Sequence, residues 1–162
     1  MKIAKLEQLI DMQDKKRAAE KRKSEQEDEK FRQKTAAFWR NEKRLVPEKQ
    51  TLVERIISWR DSFVKTGAFR KLSGETVIFY GPWGHELPRY GNGCWSRVYL
   101  EKTGSLKYAA GYKWMGGRGF LAEGDFAQKL SCDYLKALAG HLESGEVYET
   151  IAGEVKQSLK PS

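Results

Sequence analysis

The sequence predicts an α+β protein: a long N-terminal helical arm, then a small α-β-β-β-α-α domain with a three-stranded antiparallel meander packed on helices. Three observations carry this. Residues 1–46 contain neither proline nor glycine, so nothing in them interrupts a helix. Alternation of period two, the mark of a strand with one buried face, is confined to the middle of the chain. Apolar residues return at helical spacing after Asp125. The expected divisions are an arm at 1–46, a compact domain at 47–158 and a tail at 159–162.

The arm opens with Ile3, Leu6 and Ile10, at the 3–4 spacing of a helix seam. From Asp11 to Lys30 the apolar residues are only Met12, Ala18 and Ala19. That stretch has no face to bury, and pairs such as Lys16/Glu20 and Lys21/Glu25 support it by a few tenths of a kcal/mol each, on the order of ~0.3. The heptad pattern of a coiled coil fails almost as soon as it starts. Phe31, Phe38, Trp39, Leu45 and Val46 restore apolar character. Phe31, Phe38 and Trp39 are the residues through which the arm is expected to dock, on the domain or on a partner.

Pro47 ends the arm and suits the first turn of the next helix. That helix is predicted over Thr51 to about Thr66, with Leu52, Val53, Ile56, Ile57, Phe63 and Val64 as its core stripe and Gly67 as its stop. Glu75 to Tyr80 reads as the first strand. A 13-residue loop, 81–93, follows, long against the usual hairpin connection of about 2–5 residues. Cys94 to Glu101 and Leu106 to Met115 are the second and third strands. Period two sets Trp95, Arg97 and Tyr99 on one face, with Ser96, Val98 and Leu100 on the other. Gly116-Gly117-Arg118-Gly119 reads as a flexible link. Asp125 reads as the N-cap of a long helix with the stripe Phe126, Leu130, Tyr134, Leu138 and Leu142, ended at Ser144-Gly145. A short helix carrying Val147, Tyr148, Ile151 and Val155 closes the fold.

The charge is uneven. The chain carries a formal +8 with an isoelectric point near 9.4. Residues 1–50 hold 15 basic against 10 acidic side chains, residues 51–118 hold 11 against 5, and residues 119–162 hold 4 against 7. A basic excess favours polyanion partners, nucleic acid first, and any such partner is expected on the arm and the sheet. The first residues lack an apolar run long enough for a signal peptide, no stretch has the apolar length of a membrane span, and two cysteines give no sign of an oxidising compartment. The expected setting is cytoplasmic, without a membrane partner.

Motifs for chemistry are scarce. His85, Cys94, Cys132 and His141 match a Cys2His2 set in number but lack paired zinc spacing. Cys132 and His141, nine residues apart on one predicted helix, are half a turn out of phase at about 100° per residue. No metal, cofactor or catalytic residue is expected, and an enzyme is the less favoured class. The loop 81–93 is more informative, because Trp83, His85, Arg89 and Tyr90 stand there among glycines and prolines. Rings stack on bases and arginine pairs with phosphate; the same residue types also anchor protein interfaces. Arg97, Lys107 and Lys113 add a basic-aromatic surface on the sheet if the pairing register puts them on one face, and Arg118 is placed to touch a phosphate from the glycine-rich link.

The α-β-β-β-α order over residues 50–142, with Gly81-Pro82-Trp83-Gly84-His85 between the first two strands, resembles a double-stranded-RNA-binding domain in its order of elements. The resemblance implies a Gly-Pro-x-His loop reaching a minor groove and a lysine pair opening the last helix. Here one residue is inserted before His85. The last helix opens Asp125-Phe126-Ala127-Gln128-Lys129, which leaves Lys129 alone in that role. The sequence therefore points to a non-catalytic basic protein associating with DNA, RNA or a nucleoprotein complex through its arm, sheet and loop. The alternative is a protein-interaction or regulatory subunit that docks on a larger assembly through residues 1–46.

Overall fold

The computed structural model describes residues 2–82, 84, 94–112 and 117–161, apart from the side chains of residues 112 and 117–119. The chain divides into two compact units, Met1–Arg40 and Asn41–Ser162.

Helix α1, Lys2–Arg44, supplies the whole first unit and the opening residues of the second. Its first turns expose their apolar residues: Ile3, Leu6, Leu9, Ile10 and Met12 are all largely solvent-accessible. The charged stretch is held by local pairs such as Lys15 with Asp11 at 3.2 Å and Gln33 with Glu29 at 3.3 Å. Each is worth only a few tenths of a kcal/mol, about 0.3.

In the second unit α1 ends where Pro47 demands it. Proline has no N–H to donate and its ring crowds the carbonyl four residues back. Leu45 therefore leaves helical geometry, with ψ of 4°, and α2 runs Val46–Phe63 with the proline in its first turn. That start is five residues earlier than the apolar stripe suggested. Gly67 is not a stop. Thr66 caps a further one-turn helix, α3 (Gly67–Arg70), by accepting from the Phe69 N–H.

Four strands follow: β1 Thr76–Gly81, β2 Cys94–Leu100, β3 Leu106–Tyr112 and β4 Gly117–Ala122. They form one antiparallel sheet in the order β1-β2-β3-β4. The α+β class with its antiparallel meander stands, and the meander gains a strand. The segment that reads as a Gly-rich link extends the sheet, because pairing with β3 satisfies backbone groups that a free link would leave to water. A bulge at Ile78 lets both Ile78 and Phe79 turn inward; an extra residue in one strand breaks the alternation locally.

The last helix also differs. Asp125 lies in a 3-10 turn, Glu123–Asp125, and its side chain makes no cap bond. A single turn, α4 (Phe126–Lys129), stops at the extended Leu130. Ser131 is the working cap: its side chain accepts from the Tyr134 N–H at 3.2 Å and starts α5, Cys132–Glu143. Gly145, at φ of 84°, turns the chain into α6, Glu146–Ser158. A side chain at that φ would be strained. The inserted turn and the fourth strand depart from the α-β-β-β-α order of a double-stranded-RNA-binding domain.

The core joins Leu52, Ile56 and Phe63 of α2 to Val98, Leu100, Leu106 and Tyr108 of the sheet and Leu135, Leu138 and Leu142 of α5. Two polar devices lock it. Glu42, near the end of α1, is buried with Lys49 of α2 at 3.3 Å, and the same carboxylate oxygen accepts the Cys132 N–H at 2.9 Å. One carboxylate thus satisfies a buried ammonium and an orphan donor at the positive end of α5. At the other end of the domain Arg60 donates to the Gly104 carbonyl and to Glu123.

Removing one member of a buried ion pair leaves the other without compensation, at a cost of about 3–5 kcal/mol. Lys49→Met is expected to lose about that much in urea unfolding at unchanged m value. Adding Glu42→Gln is expected to recover most of it. Single and double variants of equal stability would show that the pair does not hold the helices.

Candidate nucleic-acid interface

Register decides which side chains meet. Arg97 of β2 faces Tyr80 of β1 on one side and Ala109 of β3 on the other, and Ala109 faces Phe120 of β4. These four residues form one row across all four strands. The neighbouring row is Val77, Tyr99, Lys107 and Ala122. Both lie on the face opposite Ser96, Val98 and Leu100, which are buried. The expectation that Arg97 and Lys107 belong to one surface is met on this face, together with Trp95 and Tyr99.

The row is aromatic at its ends and basic within. Tyr80 is 70% exposed and Phe120 61%. The Arg97 guanidinium carbon lies 4.8 Å from the centroid of the Trp95 ring and 5.7 Å from that of Tyr80. Lys107 Nζ lies 4.7 Å from the Phe120 centroid. Ala109, although on this outer face, is 2% exposed and stands outside the core cluster; a small residue there gives the larger neighbours room to lean over it. Neither Arg97 nor Lys107 pairs with a carboxylate among the described residues. Among the described residues the face thus presents positive charge without a carboxylate partner beside exposed rings, a combination suited to phosphate and stacked bases.

Tyr80 and Phe120 did not stand out in the sequence. Tyr80 ends a β-rich run in which the Ile78 bulge shifts the alternation. Phe120 lies in the segment that reads as a link. A search for alternation directly after Gly119 would have flagged Phe120 and Ala122.

The other expected site residues fall as follows. Trp83, His85, Arg89, Tyr90 and Lys113 lie outside the described residues. Arg118 is in β4, where its backbone is described and its side chain is not. Gly81, Cys94, Tyr112 and Gly117 lie at one end of the sheet. In α1, Phe31, Phe38 and Trp39 are half-buried, and the Phe38 and Trp39 rings meet edge to face at 5.1 Å.

The start of the 81–93 loop is pinned to the core. The Gly84 N–H donates to the Tyr108 hydroxyl at 3.0 Å, and the Gly84 carbonyl accepts from the Ser131 N–H at 2.8 Å. A Cβ at Gly84 would come within 2.6 Å of the Tyr134 ring, so only glycine fits this close approach. Tyr134 packs edge-on against Phe79 and Tyr108 and shares a hydrogen bond with Ser96 at 2.9 Å. Burial holds its hydroxyl well above the usual value of 10.0. The Ser96 bond offsets only part of this, and Tyr108 adds to it.

Cys132 is buried at the start of α5, and burial, then the Glu48 carboxylate, push its thiol up, the opposite of an activated nucleophile. His141, on the same helix, meets Glu146 at 3.2 Å and packs by the Phe79 ring. Among the described residues no group of three or more His, Cys, Asp or Glu could hold a metal ion. Nor is any described helix long and apolar enough to cross a membrane. No protein-family model, curated protein or solved structure matches the chain.

A tyrosine whose ionisation is disfavoured in the native state makes stability fall at high pH. Above about pH 10 the unfolded chain releases the proton while the native chain keeps it, so the unfolded state binds fewer protons. One such group contributes a slope of up to about 1.4 kcal/mol per pH unit. Tyr134→Phe is expected to cost about 1 kcal/mol at neutral pH through the lost Ser96 bond, and to flatten the alkaline decline by that slope. Urea midpoints measured from neutral to alkaline pH check this. Parallel declines for the two proteins would mean that Tyr134 ionises as freely in the native state as in the unfolded one.

Proposed function

We propose that this is a non-catalytic nucleic-acid-binding protein whose interface is the open face of its sheet. The observation that carries the reading is the row Tyr80–Arg97–Ala109–Phe120 with Lys107 in the row beside it, where Arg97 and Lys107, without carboxylate partners among the described residues, stand beside exposed rings. The basic excess of residues 1–118 supports it, since it provides a long-range field for a polyanion.

The reading makes binding salt-dependent. In fluorescence anisotropy with a labelled oligonucleotide, log K is expected to fall linearly with log salt. Each phosphate neutralised contributes about 0.7–0.9 to the slope. Arg97→Ala and Lys107→Ala are each expected to weaken binding and to reduce the slope by about that amount. No binding at low salt, or slopes unchanged in both variants, would remove the sheet face from consideration.

A second reading, docking on a larger protein assembly through the N-terminal helix, is favoured by one observation. The exposed apolar residues of α1 are Ile3, Leu6, Leu9, Ile10 and Met12, whereas Phe31, Phe38 and Trp39 are half-buried. The docking segment is then the first three turns, read as anchors at i, i+3 and i+7. Under it, Leu6→Glu/Ile10→Glu is expected to abolish co-purification of a protein partner from cell extract while leaving oligonucleotide binding unchanged. Retention of the partner by that variant counts against it.

A further inference from the structure

Resting on the nucleic-acid reading, we infer that the ligand of the sheet face is an unpaired strand, with bases stacked on Tyr80 and Phe120 and the adjoining phosphates drawn to Arg97 and Lys107. The argument is one of shape. Tyr80 and Phe120 belong to the two outermost strands, with β2 and β3 between them. Three strand spacings of about 4.8 Å put their backbones about 14 Å apart. The major groove of a regular duplex is about 12 Å wide and the minor groove about 6 Å, so a face that broad enters neither unless the duplex is deformed.

A duplex also has nothing to give the two rings. Its bases stack on one another about 3.4 Å apart and turn only their edges to the grooves, so an exposed ring finds no base face to cover. An unpaired strand offers its base faces. The rings meet that need, being 70% and 61% exposed, and each has a cation drawn toward it, Arg97 at Tyr80 and Lys107 at Phe120. The ligand expected from the resemblance to double-stranded-RNA-binding domains is the opposite one, read by a loop in a minor groove.

The test uses the full chain and two fluorescein-labelled probes of mixed sequence with equal numbers of phosphates, one single-stranded and one a blunt duplex, at the same low salt. The single strand is expected to bind at least about tenfold more tightly. Tyr80→Ala and Phe120→Ala are each expected to weaken it by about tenfold, one stacked base apiece, and to weaken duplex binding by less than that. Both residues are exposed, and circular dichroism and urea midpoints establish that the variants fold. Tyr80→Trp is expected to retain binding, because it keeps a ring.

Duplex binding as tight as single-strand binding, with salt slopes still reduced by Arg97→Ala, would overturn this inference and leave the nucleic-acid reading in place. Folded alanine variants that bind the single strand like the parent would overturn it as well. Failure of both probes to bind would overturn the two together.

Discussion

Because side chains alternate with period two, a slip of one residue between β2 and β3 would exchange every inward side chain of the shifted strand for an outward one. The observed register sets Ser96 against Ala110, Val98 against Tyr108 and Leu100 against Leu106 on the buried side. It sets Arg97 against Ala109 and Tyr99 against Lys107 on the other. A slip that inverted β2 would carry Arg97 into the layer covered by α2 and α5, where an unpaired charge costs several kcal/mol, about 3–5. It would also turn Val98 and Leu100, both fully buried, out to water at about 1.5–3 kcal/mol each. Hydrophobic burial thus fixes the register, and the register assembles the basic-aromatic row. The row needs no stabilising interaction of its own.

The helices that cover the inner face are positioned by polar groups as much as by apolar ones. Glu42 serves Lys49 and the first turn of α5 with one oxygen. Ser96 and Tyr108, from the inner face of the sheet, are hydrogen-bonded to Tyr134 and to Gly84. Directional bonds of this kind add about 1 kcal/mol each. Their larger effect is to exclude alternatives, since a shifted α5 would leave several buried groups without partners. The loop that follows β1 begins from a fixed point for the same reason: Gly84 is tied on both sides, to β3 and to the cap of α5.

Much of the fold was legible wherever one local rule decided the outcome. Proline at position 47 has no alternative to ending a helix, and the alternation in 94–101 allowed only one division into faces. Legibility stopped where tertiary pairing overruled a local signal. Gly117 and Gly119 speak for a link, yet β3 had an open edge and β4 filled it. Asp125 has the chemistry of a cap, but Leu130 breaks the helix after one turn and Ser131 takes over. At the candidate site Arg97 and Lys107 were visible as types. Their union with Tyr80 and Phe120 depends on a bulge at Ile78 and on a strand that composition alone does not announce.

Net charge does not say which cations are available to an anion. Several cations of the second unit are already engaged: Lys49 with Glu42, Arg55 with Glu143, Arg60 with Glu123 and Lys136 with Glu48. A phosphate would have to displace a carboxylate from each, one charge-assisted bond against another, with little to gain. Arg97 and Lys107 rest on rings instead. A cation–π contact at an exposed site is worth about 0.5–1 kcal/mol, whereas a hydrogen bond to a charged group contributes about 1.5–3. On the nucleic-acid reading, exchanging ring for phosphate is therefore favourable, and the exchange frees the ring face for a base. On the same reading, the cation–π pairs hold both partners in place until a ligand takes the two halves separately.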